Sequence, residues 1–314
     1  KRMSSQLNKN IIFTLAYFSA MHYPLTLFEL WRNLLQTNNG REKYSFREVK
    51  NAIVDKKILS KVKQKNGMLF LKGDEKLVKE RSIAHKLSIT KLKRLKAWAK
   101  IFGLVPYVRG VFLTGTLSMK NAKLNSDWDV LMVLSKGRIW LGRFFLAITL
   151  QLIGKRRHGK KVKERFCLNH YITDNGLILE EHNEFSANFV STSIPILGGK
   201  IYKKFLQMNE FWIQGIKTNY IKEEISKDNV ESLERVGIKK RIQEVTEKIL
   251  EKTGIAKTAN DFVRRVMVKK IKQNPKTYWK NADIRYSETA LIFLPKPHRI
   301  TILEKTKRRL ADLK

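Results

Sequence analysis

Short apolar runs bounded by turn residues occupy the middle of the chain, and amphipathic helical patterns lie on both sides of them. Residues 108–117, 127–134 and 165–172 have the length and apolar character of buried strands. Residues 137–153, 185–197 and 201–213 have the apolar spacing of helices. The pattern therefore predicts a central sheet that helices cover.

The first 73 residues predict three helices followed by a β-hairpin. Residues 10–20 have a helical apolar stripe, and capping-box sequences at residues 26–29 and 45–48 begin two more helices. Asn66-Gly67 between two apolar runs is a strong hairpin signal. This order is typical of a winged helix. Such a module binds either nucleic acid, here through Lys50, Lys57 and Lys63, or another protein.

The remaining segments predict basic helices. Residues 75–102 read as a long linking helix, residues 220–280 as a charged helical region, and residues 301–313 as a final helix after a kinked connector. We therefore expect an α+β protein in three parts. These are a winged-helix domain (residues 1–74), a domain with a mixed sheet and the leading linker helix (75–215), and a helical basic region (216–314).

The net charge of the chain adds more to this prediction than its overall composition does. The chain has 64 Lys and Arg against 28 Asp and Glu, a formal net charge of +36, while its hydrophobic content of 43% is ordinary. Such an excess favours a polyanionic partner, most simply nucleic acid, with RNA favoured over DNA. A merely Lys-rich surface is the alternative, but it should raise Glu as well. The candidate contacts outside the first module are Lys155, Arg156, Arg157, Lys160 and Lys161 in a basic loop, and Arg264 and Arg265.

Two carboxylates, Asp127 and Asp129, flank Trp128 at the start of the second predicted strand. Alternation along a strand places both on one face, and two buried acids repel each other unless a cation lies between them. Oxygen ligands of this kind favour Mg²⁺. Upstream, Gly115-Thr116 offers an approachable backbone and a hydroxyl, which suits a phosphate group.

Gly115-Thr116, about ten intervening residues, and then Asp127-Trp128-Asp129 leading into an apolar strand resemble the signature of the DNA polymerase β-like nucleotidyltransferases. Residues 102–212, and more weakly 292–310, are similar to bacterial nucleotidyltransferase-domain proteins of unknown substrate. The resemblance implies Mg²⁺ held by Asp127 and Asp129, and an NTP substrate bound near Gly115, Thr116 and Ser126. The other shared features are residues 137–141, residues 166–169, and Phe205-x-x-x-Asn209-x-x-Trp212.

The third predicted strand departs from that pattern. Active enzymes of the wider superfamily usually place a third carboxylate there, and residues 166–171 contain no acid. Asn169 stands where the acid is expected, and we interpret it as a neutral oxygen ligand to the metal. Asp174, Glu180 and Glu181 remain open as substitutes. Cys167, the only cysteine, is interpreted as an inert buried thiol, and Phe211 and Trp212 as core aromatics.

Three functions stay open at this point. The first is a Mg²⁺-dependent nucleotidyltransferase that acts on an acceptor hydroxyl, most simply on RNA. The second is a catalytically reduced protein of the same fold that serves as an RNA- or DNA-binding subunit. The third is a DNA-binding regulator led by the winged helix, or an antitoxin-like modifier of a partner protein. With neither a signal peptide nor a spanning segment in the sequence, we expect a cytoplasmic protein without a membrane partner.

Overall fold

The first part of the chain forms a small helical unit with a three-stranded sheet. The computed structural model describes residues 2–38, 42–221, 233–234 and 237–313. Both predicted capping boxes are present, at Thr26 and Ser45, and the predicted hairpin turns at Asn66-Gly67, where both residues have positive φ. The strand order is β1-β3-β2, all antiparallel. In chain order the elements are α1 (Arg2–Ala20), β1 (Leu25–Thr26), α2 (Leu27–Arg32), α3 (Phe46–Ala52), α4 (Lys56–Leu59), β2 (Val62–Lys65) and β3 (Met68–Leu71).

The middle of the chain contributes four strands of a larger sheet and the helices that cover it. The predicted linking helix is present, and a short 3₁₀-helix (Lys100–Leu104) follows it. The three predicted strands are confirmed within a few residues at their ends. The elements are α5 (Lys76–Ala99), β4 (Val108–Leu113), α6 (Gly115–Ser118), β5 (Trp128–Leu134), α7 (Ile139–Leu152), β6 (Phe166–Thr173), α8 (Glu184–Ser191), β7 (Ile194–Leu197) and α9 (Gly199–Ile216).

The last part of the chain completes this sheet. Its elements are α10 (Gly237–Lys252), α11 (Ile255–Gln273), a 3₁₀-helix (Pro275–Tyr278), β8 (Asp283–Tyr286), β9 (Ala290–Leu294) and α12 (His298–Ala311). The strand order is β7-β4-β5-β6-β9-β8, and only β5 and β6 are parallel. The protein is thus the expected mixed α+β structure. The prediction that residues 216–314 are helical is incomplete, because β8 and β9 belong to the sheet.

Helices cover both faces of the sheet, as strand alternation requires. Val111 and Met132 point to the face that packs against α5, α7 and α11. Phe112, Leu131 and Val133 point to the opposite face, which packs against α8 and α9. The central strands are therefore buried on both sides, which explains their nearly continuous apolar sequences. Among the described residues, no helix combines the length and apolar composition needed to cross a membrane.

Two predictions near residues 185–213 need correction. The predicted helix over residues 185–197 ends at Ser191, and Ile194–Leu197 is instead the edge strand β7, where Pro195 pairs with Phe112. Proline has no backbone N–H to donate. It is tolerated in an edge strand because one side of such a strand pairs with no neighbour. Phe211 is 68% exposed, so its assignment to the core is wrong.

The motif residue Asn209 has a structural role. It is buried, and its side-chain oxygen accepts hydrogen bonds from Leu179 N and Trp212 Nε1 at 3.0 Å each. Its amide nitrogen donates to the carbonyls of Leu177 and Phe205, at 2.8 Å each. Asn209 therefore fixes the segment around residues 177–179 to helix α9, which explains the Phe205–Trp212 motif without a catalytic role.

Lys217 joins the small N-terminal unit to the helices that cover the sheet. It is fully buried, and its Nζ donates to Asn33 Oδ1 at 2.9 Å, Asn188 Oδ1 at 3.1 Å and Ser191 Oγ at 2.6 Å. All three acceptors are neutral. Burial, with a smaller contribution from Arg32, lowers the pKa of Lys217 to about 7.

We expect Lys217 to contribute a rise in stability as the pH is raised from about 7 toward 10. In that window the unfolded Lys217 still binds a proton that the folded form has lost, so raising the pH favours folding. One such proton contributes a slope of up to about 1.4 kcal/mol per pH unit. Thermal unfolding at several pH values should show a flatter slope for Lys217→Gln. Equal slopes in the two proteins would contradict a neutral buried lysine.

Candidate active site

The two motif carboxylates point away from the core because Trp128 between them points into it. Trp128 is fully buried, and its ring meets that of Phe166 at 4.9 Å edge to face. Asp127 lies just before β5 and Asp129 lies within it. Since successive side chains of a strand point to opposite faces, both carboxylates reach the same cleft, as the sequence predicts.

Gly115 forms the turn that lies against Asp129. Its φ is +71°, a left-handed conformation that favours glycine, and Thr114 N donates to Asp129 O at 2.9 Å. A Cβ atom at Gly115 would lie 2.7 Å from Asp129 Oδ2. The absence of a side chain at residue 115 therefore lets the turn approach the carboxylate.

Cys167, and not Asn169, lies opposite Asp129 in the sheet. The parallel register pairs Asp129 with Cys167, and a bulge before the pairing of Leu131 with His170 shifts the residues that follow. Asn169 lines the same cleft, and its assignment as a metal ligand stays a prediction. The residue that sequence reasoning treated as an inert thiol is thus a neighbour of both carboxylates.

Arg157 reaches into this cluster from the basic loop that follows α7. Its Nη1 lies 2.7 Å from Asp127 Oδ2 and donates to Cys167 Sγ at 3.0 Å. The contact with Asp127 lacks hydrogen-bond geometry, so Oδ2 is a buried oxygen without a hydrogen-bond donor among the described residues. The guanidinium thus neutralises part of the charge of the pair and leaves one oxygen unsatisfied.

Burial governs the protonation of these groups. It raises the pKa of Asp129 well above its ordinary value, and the neighbouring Asp127 carboxylate raises it further. Burial also raises the pKa of the Cys167 thiol to about 12, with a further contribution from Asp129. Cys167 is therefore a neutral thiol at physiological pH, and a proton on Asp129 competes with any bound cation.

The cluster can hold a metal ion. One ligand atom each from Asp127, Asp129 and Cys167 lie within 4.8 Å of one another. The unsatisfied Asp127 Oδ2 and the adjacent Asp129 carboxylate are the hard oxygen donors that Mg²⁺ accepts. A neutral thiol is a poor ligand for Mg²⁺, so the fit rests on the two carboxylates.

The other acids considered as substitutes for a third carboxylate lie elsewhere. Glu180 and Glu181 pair with Arg285, at 3.1 and 2.9 Å, and Glu181 also contacts Arg299. Asp174 Oδ1 accepts a hydrogen bond from Lys136 N at 2.9 Å. Among the described residues, none of the three joins the cluster of Asp127, Asp129 and Cys167.

The carboxylates lie in a cleft of about 1010 Å³ that is otherwise basic. Its walls come from α7, the basic loop, β6, α11 and the segment around β9. Six cationic side chains and two histidines line it, against the two acids. A cleft of this charge attracts anions and leaves the acid pair as a local site for a cation. The cations are Arg143, Arg156, Arg157, Lys270, Lys276 and Lys296, and the histidines are His158 and His298.

The residues predicted to contact the nucleotide differ in their surroundings. Thr116 is exposed beside Gly115 in the short helix α6. Ser126 is tied into the fold, because the buried Lys91 donates to its carbonyl at 2.9 Å and to its Oγ at 3.1 Å. Burial lowers the pKa of Lys91. Ser126 therefore positions the chain just before Asp127.

The basic residues predicted to bind nucleic acid fall into separate surfaces. Only Arg156 and Arg157 of that set line the cleft, and Lys155 packs its Nζ 4.5 Å from the ring of Trp98. Arg264 and Arg265 border a second cavity of about 790 Å³ on the other side of α11. Sequence reasoning missed Arg143, Lys276 and Lys296 as cleft residues. The remaining members, Lys50, Lys57, Lys63, Lys160 and Lys161, are exposed.

Comparisons with models of protein families, with curated proteins and with solved structures found no match to this chain.

Proposed function

We propose that this protein is a Mg²⁺-dependent nucleotidyltransferase that transfers a nucleotide from an NTP to an acceptor hydroxyl, with RNA as the favoured acceptor. One observation carries the proposal. Asp127 and Asp129 lie side by side, with Asp129 against a glycine turn, in a cleft whose other charged side chains are cationic. This arrangement suits a divalent cation together with a triphosphate, since each neutralises part of the charge of the other.

The architecture supports the finer description of the fold. In a polymerase β-like domain, a glycine turn follows one strand, and the carboxylates lie on the next; here β4, Gly115 and β5 have that order. For the N-terminal unit, helices followed by an antiparallel hairpin, with sheet order β1-β3-β2, support the proposal of a winged helix.

The residues of the cleft would have different roles in phosphoryl transfer. The Gly115-Thr116 backbone would approach the triphosphate, and Asp127 and Asp129 would hold Mg²⁺, which supplies charge neutralisation and alignment when bound. Arg143, Arg156 and Lys270 would bind the phosphate oxygens. The acceptor hydroxyl would attack the α-phosphorus and release its proton to water, while the bond from the α-phosphorus to the bridging oxygen breaks and pyrophosphate leaves.

Incorporation of a labelled NTP into RNA tests the proposal. We expect the wild-type protein to incorporate label only with Mg²⁺, and the Asp127→Asn/Asp129→Asn variant to lose at least roughly 100-fold in rate, because it lacks the charge that holds the cation. Glu288→Gln is the control, since that exposed acid pairs with Arg264 near the second cavity. Equal rates in the wild-type protein and the double variant would refute the assignment.

A second candidate is a catalytically reduced protein of the same fold that binds RNA or DNA. It is favoured by Arg157, which already neutralises Asp127, and by the neutral Cys167 opposite Asp129. This candidate requires binding of nucleic acid that weakens steeply with salt, together with no incorporation of any NTP. The incorporation assay therefore separates the two candidates.

A further inference from the structure

The cleft contains an exposed tryptophan far along the chain from the carboxylates. Trp279 follows the 3₁₀-helix Pro275–Tyr278, is 41% exposed, and lines the same cleft as Asp127 and Asp129. Two ammonium groups lie over its ring, Lys276 Nζ at 5.7 Å and Lys296 Nζ at 5.0 Å from the ring centroid. The exposed indole of Trp279 thus lies beside two positively charged lysine side chains. A stacked base would displace these flexible side chains from the ring face.

Apolar and aromatic side chains also line the cleft. Ile148 and Leu152 of α7 are 41% and 81% exposed although they line the cleft. Arg143 lies over the rings of Phe293 at 4.6 Å and Tyr171 at 5.7 Å. The cleft therefore offers apolar and aromatic side chains as well as cations to a bound molecule.

Aromatic side chains next to cations favour an anionic partner that has unpaired bases. Unpaired bases stack on aromatic side chains while their phosphates bind nearby cations, and the stacking tolerates any base. In a duplex the base faces are already stacked on each other, and a base-free polyanion has none. A volume of about 1010 Å³ is at the upper end of the roughly 300–1,000 Å³ of small-molecule sites, so it leaves room for more than one nucleotide.

We propose that the cleft binds a single strand of nucleic acid, with one base stacked on Trp279 and the adjoining phosphates bound by Lys276 and Lys296. That this strand is the acceptor, with its end directed toward Asp127 and Asp129, rests on the proposed nucleotidyltransferase function. The stacking itself requires only the cleft.

Fluorescence anisotropy with a labelled oligonucleotide of about 12 nucleotides, within the span of known single-strand sites, tests the proposal on the full chain. We expect Trp279→Ala to weaken binding of the single strand about tenfold. Binding of heparin, a polyanion without bases, should change less than about twofold, because the lysines remain. Trp279→Phe should restore most of the affinity, since a ring is retained.

Trp98→Ala is the matched control. Trp98 is also 41% exposed and also has a lysine over its ring, Lys155 Nζ at 4.5 Å, but it is not among the described residues that line the cleft. We expect this variant to bind the single strand like the wild-type protein. RNA and DNA strands of one sequence are compared, and a loss of affinity in Trp279→Ala for either one supports the site and identifies its ligand.

Three results would overturn the proposal. They are unchanged binding of both single strands by Trp279→Ala, an equal loss for heparin, and an equal loss in Trp98→Ala. Failure of the nucleotidyltransferase assignment looks different, because a protein that incorporates no NTP but loses single-strand affinity in Trp279→Ala retains the binding site. Conversely, NTP incorporation with unchanged binding in Trp279→Ala would refute only the stacking site.

Discussion

Replacing Gly115 with alanine is expected to lower the proposed nucleotidyl transfer about 100-fold. The new Cβ would lie 2.7 Å from Asp129 Oδ2 and 3.2 Å from Asp129 Cβ, so the carboxylate must move. A displacement of about 1 Å in a reacting group can cost 100-fold in rate. The left-handed backbone adds a strain of roughly 1–2 kcal/mol, which lowers the melting temperature as well.

Gly137→Ala separates these two effects. Gly137 has nearly the same φ, +68°, but a Cβ there would meet nothing within 4 Å. Both variants should therefore lose the stability that a left-handed backbone costs, while only Gly115→Ala loses activity and binding of Mn²⁺ by calorimetry. Comparable losses of activity in both variants would mean that strain, and not contact with Asp129, is responsible.

Removing Arg157 is expected to strengthen binding of a divalent cation about tenfold. Its guanidinium lies 2.7 Å from Asp127 Oδ2 and occupies the space beside the pair. Two unit charges 4 Å apart attract by about 4 kcal/mol at an effective dielectric constant of 20, and solvent exposure of the side chain reduces this value. A residual gain of tenfold for Arg157→Ala is therefore reasonable.

Arg156→Ala is the control for a general loss of positive charge, since its side chain lines the same cleft. Calorimetric titration of the nucleotide-free protein with Mn²⁺ measures the affinity of each variant. A larger gain in Arg157→Ala than in Arg156→Ala identifies the guanidinium as a competitor of the metal. A weaker affinity in Arg157→Ala would instead make the arginine a support of the metal site.

The sequence alone predicts the secondary structure around Asp127 and Asp129. Their strand alternates Asp127, Trp128 and Asp129 before a continuous apolar run, and that pattern determines both the strand and the face on which the acids lie. The run at residues 194–197 is too short to distinguish a strand from the end of a helix, so β7 was misassigned. The β8 and β9 strands were missed in a region whose overall pattern is helical and basic.

Tertiary structure determined the rest of the site. The alternation of side chains along β6 does not predict which of its residues lies opposite Asp129, because a bulge shifts the pairing between β5 and β6. Arg157 and Trp279 become neighbours of the cleft only through the packing of the basic loop and of the segment after α11. Such contacts between distant segments leave no periodic signal in the chain.

The position of β9 makes the site dependent on residues that are synthesised well after β6. Strand β6, which carries Cys167, pairs with β5 on one side and with β9 on the other. Until Ala290–Leu294 has been synthesised, a nascent chain leaves that edge of β6 unpaired, and unpaired strand edges associate readily with other chains. Helix α12 then packs its Ile302 and Leu303 against the core of the N-terminal unit. The first and last segments of the described chain are thus assembled together, after translation of both.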